Sequence, residues 1–283
     1  MGASLAASRY VNQLNKKSFQ ERVDIWDLYC VTYYYRNCGG KNIKVRPPDP
    51  PPFDKQLKDV HECISEQLKD ILKRLHYNIS ELQEGQQQLT AHSDFSLSVG
   101  DSLIDHPDAG KGVFISGSVV PGTVVMFHPG LVYLPPYVRK MPRYPGMNEK
   151  STYLVSRYDG CIIDPNGYNG ETTTPGGVAL PNPLAIGHMM NHPPSEKKPN
   201  VMPFSYDFLD LPRELLYLVP NKYYKEPGFV YKTPALMRSL VYVTTNHVCN
   251  EELFVNYRLN PNSELPKWYK PVNREEDSRR WNC

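Results

Sequence analysis

Paired cysteines, a long apolar run and an excess of charge of one sign are all missing from this 283-residue sequence. The six cysteines, Cys30, Cys38, Cys63, Cys161, Cys249 and Cys283, form no Cys-x-x-Cys pair. The spacing therefore encodes neither a zinc site nor a disulfide framework, and reduced thiols in the nucleus or cytoplasm are expected. No run of about 18 apolar residues is present, so no membrane span is expected. The opening MGASLAAS has no apolar core flanked by positive charge, and Ala6 stands where a myristoylation motif needs Ser or Thr. Asn78-Ile79-Ser80 fits a glycosylation acceptor, but no secretory signal accompanies it. Residues 1–92 carry 13 Lys and Arg against 11 Asp and Glu, and the rest balance at 19 against 19. The short runs Lys16-Lys17, Lys197-Lys198 and Arg279-Arg280 make no basic footprint, so direct nucleic-acid binding is not expected.

With 40% hydrophobic and 22% charged residues, the chain has the composition of a globular protein and no internal repeat. Phe19, Val23, Trp26, Leu28 and Tyr29 lie near helical spacing. Arg46-Pro47-Pro48-Asp49-Pro50-Pro51-Pro52 must be extended, since proline fixes its own φ and restricts the residue before it; a linker near 46–52 is expected. Then Leu57, Val60, Ile64, Leu68, Ile71, Leu75, Ile79 and Leu82 recur every three or four residues, which predicts an amphipathic helix. Its stripe must pack on the chain's own domain or, over 57–82, on a partner helix or a second copy. Glu84-Gly85-Gln86-Gln87-Gln88 ends the pattern.

From Val99 the texture changes to β-branched and aromatic runs between Pro and Gly turns. Gly112-Val113-Phe114-Ile115, Thr123-Val124-Val125-Met126-Phe127 and Leu240-Val241-Tyr242-Val243-Thr244-Thr245 read as strands. Only 184–191 and 211–218 suit short helices. The expected architecture is mostly β, short strands with small helical insertions, behind a helical extension over 1–98, with the main domain at 99–258 and a tail at 259–283.

Three separated motifs occur in order within that domain. Ala109-Gly110-Lys111-Gly112-Val113-Phe114 is a glycine turn leading into a strand, where missing side chains let the backbone approach a ligand. Asn191-His192 ends a short apolar segment and is followed by Pro199-Asn200-Val201. Glu251-Glu252-Leu253-Phe254-Val255-Asn256-Tyr257 closes the domain. The eight histidines pair at metal-like spacing only in His188 and His192, with no acidic or cysteine partner near, so no metal site is expected.

That order resembles the SET-domain protein methyltransferase family, over residues from about 100 to 258. Asp159-Gly160-Cys161-Ile162-Ile163-Asp164 is similar to a further strand of the family, and Phe127-His128-Pro129-Gly130-Leu131-Val132-Tyr133 with Asn182 to Ala185 resembles one small branch. The resemblance implies a SET-domain fold, S-adenosyl-L-methionine as cofactor and a lysine-containing segment of a protein as substrate. It implies Tyr257 as the catalytic residue. It assigns Gly110, Lys111, Gly112, Tyr153, Asn191, His192 and Tyr257 to the cofactor. Pro193-Pro194 replaces Ser-Cys, Asn250 replaces Gly and Asn256 replaces Asp, and these departures bear on catalysis more than on fold. The family's cysteine-rich tail has no counterpart, leaving Trp268, Tyr269 and Trp281 to close a substrate channel. The alternatives are a catalytically inactive SET-shaped protein-binding module and a methyltransferase with another acceptor, such as histidine.

Overall fold

A computed structural model describes residues 20–35, 49–81, 89–142, 144, 153–227 and 235–282. Of the features above, Gly2, Ala6, Lys16-Lys17, Phe19, Cys38, Arg46-Pro47-Pro48, Leu82, Glu84 to Gln88 and Cys283 lie outside these residues.

Helix α1 covers 20–29 and continues as a π-helical turn, Cys30–Tyr34. Its buried face is Asp24, Ile25, Leu28 and Tyr29, with Val23 and Trp26 only half-buried beside it. The face is rotated from the apolar pattern because Asp24 is drawn inward by two arginines, Arg258 and Arg280. Helix α2, Phe53–Ser80, starts directly after Pro52 and buries Val60, Ile64, Leu68, Leu72 and Leu75. Leu57, Ile71 and Ile79 flank the same core. Burying each such side chain is worth about 1.5–3 kcal/mol. Gln67 fixes the docking: its amide donates to the Gly122 carbonyl at 2.9 Å, and its oxygen accepts from the Val124 amide at 2.9 Å. The apolar stripe of α2 is thus covered within the chain, the first of the two arrangements expected for it.

The rest is mostly β. In chain order the strands are β1 (Phe95–Asp101), β2 (Lys111–Val119), β3 (Val124–Phe127), β4 (Gly130–Tyr133), β5 (Val155–Ser156), β6 (Ile162–Asp164), β7 (Glu171–Thr173), β8 (Ala179–Pro181), β9 (Val201–Phe208), β10 (Asn221–Tyr223), β11 (Met237–Thr244), β12 (Val248–Cys249) and β13 (Glu252–Leu253). They form small sheets: β2 pairs with β1, β12 and β13; β10, β4, β6 and β5 form a second; β3, β11 and β9 a third; β7 and β8 a hairpin. The first strand starts at Phe95, ahead of Val99, because Phe95 and Leu97 alternate inward with Ser96 and Ser98 outward.

The helical candidates shrink. Residues 184–191 form only a 3-10 turn at Gly187–Met189, where Gly187 packs so tightly that a Cβ would lie 2.4 Å from the Phe127 carbonyl oxygen and 2.5 Å from the Tyr242 ring. Residues 211–218 hold the single turn α3, Arg213–Leu216. A last helix, α4 (Arg274–Asn282), buries Asp277 and Arg280. No helix among the described residues is long and apolar enough to cross a membrane.

Candidate functional site

Two isolated parallel bridges, Asn191 with Phe254 and Val201 with Val255, bring the second and third motifs together. Asn200 fastens that junction. Its amide donates to the Glu252 carbonyl at 3.0 Å and its oxygen accepts from the Phe254 amide at 2.7 Å. The first motif joins through β2, which places Phe114 opposite Glu252 and Val113 opposite Leu253. Asn191 completes the link: its amide donates to the Lys111 carbonyl at 2.9 Å, and its main-chain carbonyl accepts from the Val255 amide at 3.0 Å. Residues scattered over 110–257 therefore meet around one short segment.

The two motif glycines have different reasons. Gly110 has φ +58 with open space where a side chain would stand, so glycine answers a backbone need there. At Gly112 the space is filled by Glu252, whose Oε1 would lie 2.1 Å from an added Cβ. Glu252 is fully buried, and its carboxylate accepts from Ser102 Oγ at 2.7 Å and the Leu103 amide at 2.9 Å. Because that carboxylate cannot swing away without losing these bonds, Gly112→Ala should destabilise the fold by about 1–3 kcal/mol. In a thermal melt this should appear as a fall of roughly 2–10 °C; an unchanged melting temperature would contradict the packing. Lys111 contributes its backbone to the site, while its ammonium points to the surface and pairs with Asp101 at 2.7 Å.

Tyr257 is held from both ends. Its hydroxyl donates to the Met190 carbonyl at 2.9 Å, and its amide donates to His192 Nδ1 at 3.3 Å. The other ring nitrogen of His192 lies 2.7 Å from the Lys270 carbonyl, which can only accept. His192 is therefore the Nε2–H tautomer, and burial lowers its pKa, which keeps it neutral. Burial, with Tyr153 adding to it, pushes the Tyr257 phenol up to about 12. The tail closes over this pair: Trp268 stands edge-on to Tyr257 at 6.3 Å, and Tyr269 lies against His192 at 4.4 Å. Trp281 instead donates its indole N–H to the Arg258 carbonyl at 2.9 Å.

No family model and no curated protein matches the sequence. Solved structures do match. One is ctPRC2 in an autoinhibited conformation bound to S-adenosylmethionine, at 16% identity and a TM-score of 0.34 over 59% of this chain. Another is the Chaetomium thermophilum polycomb repressive complex 2, at 16% identity and a TM-score of 0.35 over 64% of this chain. The match spans only 15% and 17% of those chains.

A second group of rings, which includes the expected Tyr153, adjoins Tyr257. His128 follows β3, and its Nδ1 lies 3.0 Å from the Tyr242 hydroxyl. Its Nε2 lies 2.9 Å from the Tyr153 carbonyl. His188 meets His128 edge-on at 6.4 Å and Tyr153 at 5.8 Å, and its buried Nδ1 has no hydrogen-bond partner among the described residues. Tyr153 is the exposed member, at 43%. The sequence signal for this group was slight: one histidine closing an otherwise apolar strand, and one tyrosine inside another.

Two departures from the motif pattern serve backbone geometry. Asn250 adopts φ 49, which Asn tolerates better than other side-chain-bearing residues, and its oxygen accepts from the Gly117 amide at 2.8 Å. Asn256 accepts from the Arg258 amide at 3.1 Å, a local turn that supports Arg258 at φ 50.

Proposed function

We propose that the chain is a SET-domain methyltransferase that uses S-adenosyl-L-methionine to methylate a lysine side chain of a protein, in the nucleus or cytoplasm. Within that family its sequence resembles SET domain-containing protein 9 through Phe127 to Tyr133 and Asn182 to Ala185. The observation that carries the reading is Tyr257, a half-buried phenol whose proton is committed to the Met190 carbonyl, set among the rings of Trp268 and His192.

The residues fit the cofactor. Lone pairs and aromatic faces suit a sulfonium, which has no proton to donate and carries positive charge. Gly110, the Lys111 backbone, Asn191, His192, Tyr153 and Tyr257 would hold it, with Gly112 giving Glu252 its place behind them. Bound there, it would supply an electrophilic methyl group. Tyr257 would present its oxygen to the developing charge and orient the incoming amine. With its pKa near 12 the phenol stays protonated at neutral pH, so its O–H remains on Met190 and its lone pairs remain available. An amine must arrive without its extra proton. Lysine's reference pKa is about 10.4, and the rings around Tyr257 would lower it by desolvation if they line the path of the amine. Holding the partners in line is worth about 7–11 kcal/mol, so no strong acid or base is required. His192 acts on the framework, keeping the Tyr257 backbone and the Lys270 carbonyl in register.

Calorimetric titration with S-adenosyl-L-methionine tests the proposal. Micromolar binding is expected for the wild-type chain, weakened about tenfold or more in Asn191→Ala, which loses the tie to Lys111. A folded wild-type chain that binds no cofactor would overturn the enzyme reading and favour a SET-shaped protein-binding module, for which Pro193-Pro194 is the leading sequence argument.

A further inference from the structure

The residue directly after Tyr257 has a backbone that must be held. Arg258 sits at φ 50, a left-handed conformation that disfavours a side-chain-bearing residue by about 5- to 30-fold. Arginine lacks the short polar side chain with which Asn or Asp offsets that cost locally, so the surroundings must supply the restraint. The backbone is fixed on both sides. The Asn256 side-chain oxygen accepts from the Arg258 amide at 3.1 Å, the Trp281 indole N–H donates to the Arg258 carbonyl at 2.9 Å, and the Leu259 amide donates to the Tyr269 hydroxyl at 3.1 Å.

The Arg258 side chain ends on α1. Its Nη1 donates to Asp24 at 2.7 Å, across 234 residues of sequence, and among the described residues Asp24 is the one carboxylate in ion-pair contact with it. Asp24 also accepts from Arg280 at 2.6 Å, and Arg280 precedes Trp281 in α4. One buried carboxylate thus holds the turn twice, directly through the guanidinium and, by way of Arg280, beside the residue that holds its carbonyl. Beyond Arg258 the chain is tied to the tail and to α4, so a change of φ at 258 is taken up on the Tyr257 side. There the Tyr257 amide reaches His192 Nδ1 at 3.3 Å, past the ordinary range of roughly 2.7–3.2 Å, and little travel breaks it.

We infer that Asp24 is a positioning residue for the methyl-transfer site: through Arg258 it holds the left-handed turn that sets Tyr257 against His192, which makes α1 a working part of that site. The role of Tyr257 rests on the methyltransferase reading; the restraint running from Asp24 to His192 does not. An ion pair that merely held the fold together would be indifferent to the conformation of the residue bearing the guanidinium. A pair that holds a costly turn is not. Glycine adopts φ 50 freely, so at position 258 it should keep the turn without the anchor, whereas alanine keeps the penalty and loses the anchor.

Arg258→Gly and Arg258→Ala separate the two roles, since both remove the guanidinium and both leave Asp24 paired with Arg280. Arg258→Gly should melt above Arg258→Ala, the reverse of the usual order of the two residues. In nitrogen-15 NMR of ligand-free protein below the melting temperature, the His192 Nδ1 resonance should stay at its wild-type position in Arg258→Gly and shift toward that of an unbonded nitrogen in Arg258→Ala. Calorimetry should give an S-adenosyl-L-methionine affinity close to wild type in Arg258→Gly and about 5- to 30-fold weaker in Arg258→Ala. Asp24→Asn should shift His192 as Arg258→Ala does, and should have little effect on it when added to Arg258→Gly. Matching His192 signals in the two Arg258 variants would overturn the inference, as would an equal effect of Asp24→Asn in the two backgrounds; the Arg258 pair decides the question even where Asp24→Asn does not fold. Wild-type protein that binds no cofactor, with the His192 contrast intact, would overturn the cofactor reading and leave the restraint standing.

Discussion

Replacing Asp24 by alanine should lower stability by about 3–5 kcal/mol, the loss incurred when one partner of a buried charge cluster is removed. Asp24 is 1% exposed and accepts from Arg280 at 2.6 Å and Arg258 at 2.7 Å, with the Tyr158 hydroxyl bonded to the same carboxylate. It ties α1 to α4 and to the residue directly after Tyr257. Without it two guanidiniums stay buried with too little negative charge, although Glu276 still bonds Arg280. Arg258 would also lose the contact that helps hold it at φ 50. The fall should appear in chemical denaturation, and in a thermal melt as roughly 6–20 °C. A loss below about 1 kcal/mol would mean that the cluster is solvated and weak.

The sign of the pH dependence follows. Burial alone would raise the Asp24 pKa, but Arg258 and Arg280 outweigh it and hold the carboxyl below its usual range. A group depressed in the folded state contributes its stability above the unfolded value, about 3.9, and loses it as pH falls through the folded value. The stability gap between wild type and Asp24→Asn should therefore be constant near neutral pH and narrow below about pH 4. A gap that widened on acidification would reverse the assignment.

Tyr257→Phe should have the largest effect on activity. Removing one preorganised group that faces developing charge costs about 2.7–4 kcal/mol, or on the order of 10²- to 10³-fold in rate. Stability should fall by only about 1 kcal/mol, the worth of the bond to Met190. The measurement is transfer of labelled methyl from S-adenosyl-L-methionine to an array of lysine-containing peptides. Cofactor affinity, measured in parallel, should fall far less than the rate, since the Tyr257 ring, its backbone and His192 are untouched. Retention of full activity would remove Tyr257 from the chemistry, whereas a fall in rate no larger than the fall in cofactor affinity would confine Tyr257 to cofactor binding.

Local chemistry made parts of this molecule legible before any tertiary structure. A 3.6-residue period needs only neighbours along the chain, so α2 could be read from Val60, Ile64, Leu68 and Leu75, all buried in the structure. Strands β2, β3 and β11 follow from β-branched runs that end at turn residues. The order of the three motifs carried the candidate site, and Asn191, His192 and Tyr257 do meet. Composition failed at 184–191, where apolar spacing suggested a helix but the segment holds only a short 3-10 turn, with Gly187 wedged against the Phe127 carbonyl and the Tyr242 ring from distant strands.

The partners of buried polar groups lay beyond the sequence. Nothing near Gly112 indicates that Glu252 fills its missing side chain, and nothing near Asp24 indicates arginines at 258 and 280. The directions of the Tyr257 and Tyr242 hydroxyls depend on carbonyls at Met190 and Tyr153 and on the ring of His128. By itself the sequence determined the element types, a mostly β class and three motifs to look for, because those depend on side-chain character and spacing. Only the tertiary structure decided which partners the buried polar groups take, because a hydrogen bond's direction is set by atoms that come together in space from distant parts of the chain.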